Sequence, residues 1–333
     1  MGIGALRRIQ IGVESPRGTL VPATKILLGN LRMTPRLESY EPEDEDRNSL
    51  GLLHRSTIIG QSCDLRYEGS ATYEQLINFL AMTMIGGVTP TTPGGGTLTR
   101  DWAFAPSLTA ANTQDSFTFE YGDNQQEYEA AFVVGKQLEL SYDMGGPIRL
   151  TADLVGRYPA KSTFTGSLAA PTVVDIVSKV TTIAVDTTWA GLGGTAKSTL
   201  LLGGTVRIPS GIELVKYADG SLNWSTTQEG KRALEVELLL AHGDDGETQY
   251  DNYAARTTTF VRLETLGPLI EGALYKRLQI DMALRWTEPP EMFELESGLT
   301  AIRFKGKSVV DPTSANDYEV NVRNAVTAMN GAT

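Results

Sequence analysis

The sequence predicts a mainly β protein: two similar antiparallel β domains in tandem, each with a flanking helix and long loops. Three observations predict it. Apolar and polar residues alternate in runs of strand length. One such unit is written twice. The 333 residues give each half enough chain for a core of its own.

The first strong element is a helix. Tyr73, Leu76, Ile77, Leu80, Ala81 and Met84 recur at helical spacing. Thr72 with Gln75 makes a capping box, and Gly86-Gly87 ends the segment. Next comes a hairpin. Leu138, Leu140, Tyr142 and Met144 alternate with polar residues, as do Ile148, Leu150, Ala152 and Leu154, across Gly145-Gly146-Pro147. In the second half Leu234, Val236, Leu238 and Leu240 form one strand, and Leu278, Ile280, Met282, Leu284 and Trp286 another. The second helix is expected at 248–256, shorter and more polar. One-faced strands of this kind build antiparallel sheets with one wet face.

The repeat relates 127–158 to 270–307. Glu129-Ala130-Ala131-Phe132 and Lys136-Gln137-Leu138-Glu139-Leu140 match Glu271-Gly272-Ala273-Leu274 and Lys276-Arg277-Leu278-Gln279-Ile280, with Val134-Gly135 as the gap. The domains are expected at 1–165 and 166–333, with the Pro-, Ser-, Thr- and Ala-rich stretch 158–172 as linker and 86–96 as a loop. A third loop, 41–49, is acidic through Glu41, Glu43, Asp44, Glu45 and Asp46. Leu50, Leu52, Leu53, Ile58 and Ile59 follow, and so apolar a run is expected to dock on a partner.

The net charge is −11. Residues 1–165 hold 14 Lys and Arg against 19 Asp and Glu, and the remainder 15 against 21, so both halves are acidic. Such a chain is not expected to grip nucleic acid, because that binding comes from neutralising phosphates. Cys63 is the only cysteine, which excludes an intrachain disulfide. No apolar run reaches transmembrane length, and the start lacks a signal-peptide apolar region, so folding in a cytoplasm without membrane insertion is expected.

Enzyme chemistry and cofactors are not expected. His54 and His242 have no metal-ligand spacing. Gly191–Ser198 departs from a phosphate loop at Ala196 and has no room for the helix that would follow. Asp244-Asp245-Gly246-Glu247 lacks the alternating ligands of a calcium loop and reads as a turn.

Several stretches, in order over nearly the whole chain, resemble the major tail tube protein of long-tailed, non-contractile bacteriophages. They include Gln10-Ile11-Gly12-Val13-Glu14-Ser15-Pro16-Arg17-Gly18-Thr19, Trp102-Ala103-Phe104-Ala105-Pro106-Ser107 and Phe117-Thr118-Phe119-Glu120-Tyr121-Gly122-Asp123. Asp186-Thr187-Thr188-Trp189-Ala190-Gly191-Leu192-Gly193, Arg207-Ile208-Pro209-Ser210-Gly211 and Lys216-Tyr217-Ala218-Asp219-Gly220-Ser221-Leu222 extend the likeness through the second half.

The resemblance implies a β-sandwich or β-barrel domain with a long projecting loop. Two-domain members form trimeric, pseudo-hexameric rings that stack into a tube with an acidic lumen. It implies a structural virion protein of the phage tail, assembled in the host cytoplasm. The implied partners are further copies of the chain, a tape measure protein, and tail terminator and baseplate proteins. Genome DNA would pass without specific binding. On this reading 41–60 contacts a neighbouring ring, and Glu139, Asp143, Asp153, Glu235, Glu237 and Asp281 line the channel with a negative excess. The alternatives are another tail or baseplate component of the same fold, or a tandem β-sandwich that binds carbohydrate through exposed aromatic platforms.

Overall fold

The computed structural model describes residues 2–43, 45, 48, 50, 51, 55–296 and 298–329. The protein is mainly β, with antiparallel strand pairing throughout its large sheet. The first half comprises β1 (Arg8–Val13), β2 (Lys25–Leu27), β3 (Asn30–Tyr40), β4 (Thr57–Ser70), α1 (Leu76–Thr83), β5 (Arg100–Phe104), β6 (Phe117–Gly122), β7 (Glu127–Asp143), β8 (Arg149–Gly156) and β9 (Ala160–Ser162). The second comprises β10 (Thr181–Asp186), β11 (Ala196–Lys197), β12 (Leu201–Pro209), β13 (Ile212–Val215), β14 (Thr226–Glu229), β15 (Glu235–Ala241), α2 (Asp244–Ala254), β16 (Thr259–Glu271), β17 (Leu274–Trp286), β18 (Glu291–Glu296), β19 (Leu299–Ser308) and β20 (Tyr318–Asn324).

The two halves repeat one pairing plan. In the first, β1 pairs β2 and β6, β3 pairs β4, β4 pairs β8, and β7 pairs β6, β8 and β9. In the second, β10 pairs β11 and β16, β12 pairs β15, β15 pairs β19, and β17 pairs β16, β19 and β20. β7 and β17 hold each half together, because each leaves one sheet and enters a second along its length. The switch is marked by matching hydrogen bonds. Arg157 N donates to Ala131 O at 2.9 Å, and Val309 N donates to Ala283 O at 2.8 Å.

These bonds set Ala283 against Ala131. The sequence alignment had set Glu271 against Glu129, and it slipped along the strand. Glu271 and Leu274 flank a hairpin turn, whereas Glu129–Phe132 lies mid-strand. The cause is the period of two: an even offset along a strand keeps every apolar residue on the core face.

α1 is buried on all sides, not on one face. The outer side is covered by 85–116 and 172–178: Asp115 N donates to Ala81 O, Gln114 Nε2 to Thr83 O and Tyr73 N to Val174 O. Thr72 Oγ1 accepts from Gln75 N at 3.2 Å, which is one side of the expected capping box. α2 begins at Asp244, four residues before the expected start. The acidic run read as a turn is its first turn, where Asp244, Asp245 and Glu247 meet the positive end of the helix dipole. The expected linker contains β9, which pairs with β7. The halves share one continuous core, running from Ile9 to Met329. Glu74 with Lys276, and Asp101 with Arg323 at 2.6 Å, tie them further.

Glu127 on β7 is 3% exposed. Burial first, then Glu120 and Glu129, push its carboxyl from 4.5 up to about 7. Between those values the folded chain keeps a proton that the unfolded chain has lost. The stabilisation is therefore present below about 4.5 and lost as pH rises through about 7. Glu127→Gln is expected to raise the unfolding temperature at pH 8 by about 2 °C or more and to leave it nearly unchanged at pH 4. Thermal scans at the two pH values measure this, and equal shifts at both would refute it.

Candidate assembly surface

One sheet runs through both halves in the order β3, β4, β8, β7, β12, β15, β19. Its centre is the antiparallel pairing of β7 with β12, from Gln137 opposite Pro209 to Asp143 opposite Gly203. β12 holds in the second half the place that β3 holds in the first. The two halves are therefore joined edge to edge, β7 of one to the first strand of the next.

Alternation gives this sheet an apolar face in the core and a polar face turned outward. The register brings Glu139, Asp143, Asp153, Glu235 and Glu237 together on the polar face. Asp281 is not among them. It sits on β17 in the other sheet of its half, 2% exposed, with Arg262 Nε at 2.6 Å and Gln279 Nε2 at 2.8 Å. Trp189, Leu192, Phe260 and Ala283 cluster over that face, and sequence alternation could not reveal that a loop covers it.

On the strands from β3 to β19 acidic and basic residues nearly balance. Their polar face carries nine basic residues, Arg32, Arg36, Arg66, Lys136, Arg149, Arg207, Arg303, Lys305 and Lys307, against eight acidic ones, Glu38, Asp64, Glu68, Asp153, Glu139, Asp143, Glu235 and Glu237, and the β17–β18 edge adds Arg285 with Glu288, Glu291 and Glu294, which reach Arg303 and Lys305. Most are paired across strands: Arg207 with Glu139 and Arg303 with Glu237 at 2.6 Å, Lys307 with Glu235 at 2.7 Å, Arg66 with Asp153 at 3.2 Å and Arg36 with Asp64 at 3.0 Å. The hydrogen bond that Arg207 donates to Glu139 raises the pKa of Arg207, and the one that Lys307 donates to Glu235 raises the pKa of Lys307. A cation already held by a carboxylate has little to gain from a phosphate.

The joined sheet has two open edges. At one end, among the described residues, β3 pairs only β4. At the other, the tail of β17 and then β18 run beside β19, interrupted at Pro289-Pro290. The two edges differ in charge. β3 presents Arg32, Arg36 and Glu38, the last held by Lys216, and β18 presents Glu291, Glu294 and Glu296. Unpaired strand edges are templates for another chain.

The β3–β4 connection carries the acidic and apolar segment singled out in the sequence. Glu41, Glu43 and Glu45 are exposed. Leu50, Ile58 and Ile59 are exposed too, with Ile58 and Ile59 already on β4, and Leu37 and Tyr40 extend the same apolar surface on β3. Asp44, Asp46, Leu52, Leu53 and His54 lie outside the described residues. The corresponding connection in the second half, 210–234, was missed as an element by sequence reasoning. It forms the β13–β14 hairpin and lies across the first half. Trp224 stacks on Phe132 at 4.2 Å and packs with Val134 and Val155. Tyr158 N donates to Asn223 Oδ1 at 2.8 Å, Gln61 N to Leu222 O at 2.9 Å, and Lys216 pairs with Glu38.

Trp102, Trp224 and Trp286 are buried and Trp189 is half-buried, so no tryptophan offers an open sugar platform. The phosphate-loop-like stretch forms a turn and β11, which leads into β12 with no helix between. His242 pairs with Glu247 at 2.7 Å. Among the described residues no group of three His, Cys, Asp or Glu is placed to hold a metal ion, and no helix is long and apolar enough to cross a membrane. Neither a protein-family model nor a curated protein matches the chain.

Proposed function

We propose that this chain is a structural subunit of a phage tail tube, closing in threes into pseudo-hexameric rings that stack around a DNA channel. The observation that carries the reading is the β7–β12 junction. The chain already joins two like units edge to edge, and the same join, repeated between copies through β3 and the β17–β18 edge, closes a ring without leaving an edge.

The register supports closure. The row Asn30, Glu68, Thr151, Glu139 continues into Arg207, Glu235, Lys307 and Arg285. Thr34, opposite Asp64, is the counterpart of Arg207, opposite Glu235, so each half advances the row by four residues, from 30 to 34. At strand rise and spacing this is a tilt of about 35°, as closed barrels need. Three chains of eight strands would make a barrel about 45 Å across the backbone, wide enough for a DNA duplex. The charge-paired polar face would line it. DNA slides there because most of the cations are already engaged by carboxylates, with the chain's overall acidity adding repulsion at a range of about 8 Å at physiological salt.

Negative-stain microscopy of the concentrated protein tests the proposal. Rings or filaments are expected, with a central channel. A stable monomer at high concentration by light scattering would overturn it.

A further inference from the structure

The cis hairpin also says where the acidic segment goes. The segment 210–234 follows β12 and lies across the end of the unit that β12 joins, on Phe132, Val134 and Val155. The acidic segment follows β3 in the same way. If β3 joins the next copy as β12 joins β7, the acidic segment lies across the end of that copy's second half.

The landing positions can be read from the register. Val134 pairs with Val155 in the first half, and Arg285 pairs with Lys307 at the same place in the second. Both sites follow the strand switch marked by the bonds Arg157 to Ala131 and Val309 to Ala283. Where the first half offers two valines to a tryptophan, the second offers two exposed cations. Among the described residues Arg285 has no carboxylate within ion-pair distance, and Lys307 has Glu235 alone. The visitor to this site should be acidic, and the segment that follows β3 begins with Glu41 and Glu43.

We infer that Glu41 and Glu43 of one copy dock on Arg285 and Lys307 of the neighbouring copy in the same ring, taking the place that Trp224 takes in cis. The inference rests on the ring reading and adds a division of labour. The acidic start of the segment closes the ring, and Leu50, Ile58 and Ile59 are left for the next ring. The cis contact centres on Trp224 against Phe132, Val134 and Val155, whereas the trans contact is ionic, so salt weakens ring closure more than the chain's own join.

Carbodiimide coupling, which links carboxylates to lysine amines without a spacer, tests the contact on assembled protein made from a mixture of ¹⁴N and ¹⁵N chains. Mixed-isotope links from Glu41 or Glu43 to Lys307 are expected. The double variant E41K/E43K should raise the concentration needed for ring assembly at least tenfold. Adding R285E and K307E to the same chain should restore assembly. Rings whose Glu41 and Glu43 couple elsewhere, or only within their own chain, would overturn this inference and leave the ring reading standing. No oligomer under any condition would overturn both.

Discussion

Arg32→Glu combined with Arg36→Glu is expected to give a folded monomer that no longer forms rings. In the join that the chain already makes, Arg207 of β12 meets Glu139 of β7 at 2.6 Å. Carried to the outer edges, the same register sets Thr34 of β3 against Glu291 of β18, because Glu291 and Glu139 hold like places opposite Arg303 and Thr151. Arg32 and Arg36 then lie diagonal to Glu291, within reach of the β18 carboxylates. Reversing both charges replaces attraction with repulsion along one strand edge. Like charges facing each other across an interface cost several kcal/mol, so ring formation should need at least about a hundredfold more protein. The fold itself should tolerate the change. The Arg36 side chain is 61% exposed in its pair with Asp64, and an exposed pair contributes about 0–1 kcal/mol. Light scattering with circular dichroism separates the outcomes. A folded variant that still closes rings would rule out β3 as the joining edge.

Removing residues 44–59 is expected to leave rings that do not stack. The deletion takes Leu50, Ile58 and Ile59, all exposed in the single chain, and spares the strand pairing of β4 with β8, which begins at Cys63. It also spares Glu41 and Glu43. Burying each of the three apolar side chains is worth roughly 1.5–3 kcal/mol, less the cost of ordering the segment. That is enough to decide whether rings pile up, whereas the exposed ion pair of Arg55 with Glu45 adds about 1 kcal/mol at most. Microscopy should show single rings where the unaltered chain gives filaments, and filaments of normal length would refute the assignment.

Much of this architecture was legible in the sequence, because it follows from local periodicity. α1 announced itself through its spacing and its Gly86-Gly87 stop, and the β7–β8 hairpin through Gly145-Gly146-Pro147. The repeat was visible, but its register was not, since period-two strands look alike at any even offset. Asp281 looked like Glu139 in the alternation; only the loop packed over β16 and β17 separates them. The charge balance of the polar face was hidden for a related reason. Arg207 and Arg303 neutralise Glu139 and Glu237 from strands 68 and 66 residues away in sequence. The join of β7 to β12 is a tertiary choice between edges, and no local pattern encodes which edges meet.

That join has a consequence for the order in which a tube could grow. In the proposed ring, covalent linkage would make every second seam intramolecular, complete when the chain folds and independent of concentration. Each association step costs translational and rotational freedom, and a ring of double units needs fewer than half as many such steps as a ring of single ones. It also makes the seams non-identical. The inner seam must satisfy folding, while the outer one need only satisfy encounter. Exposed charges at β3, β18 and the acidic segment would therefore be open to retuning for timing, salt or partner choice at little cost to the fold.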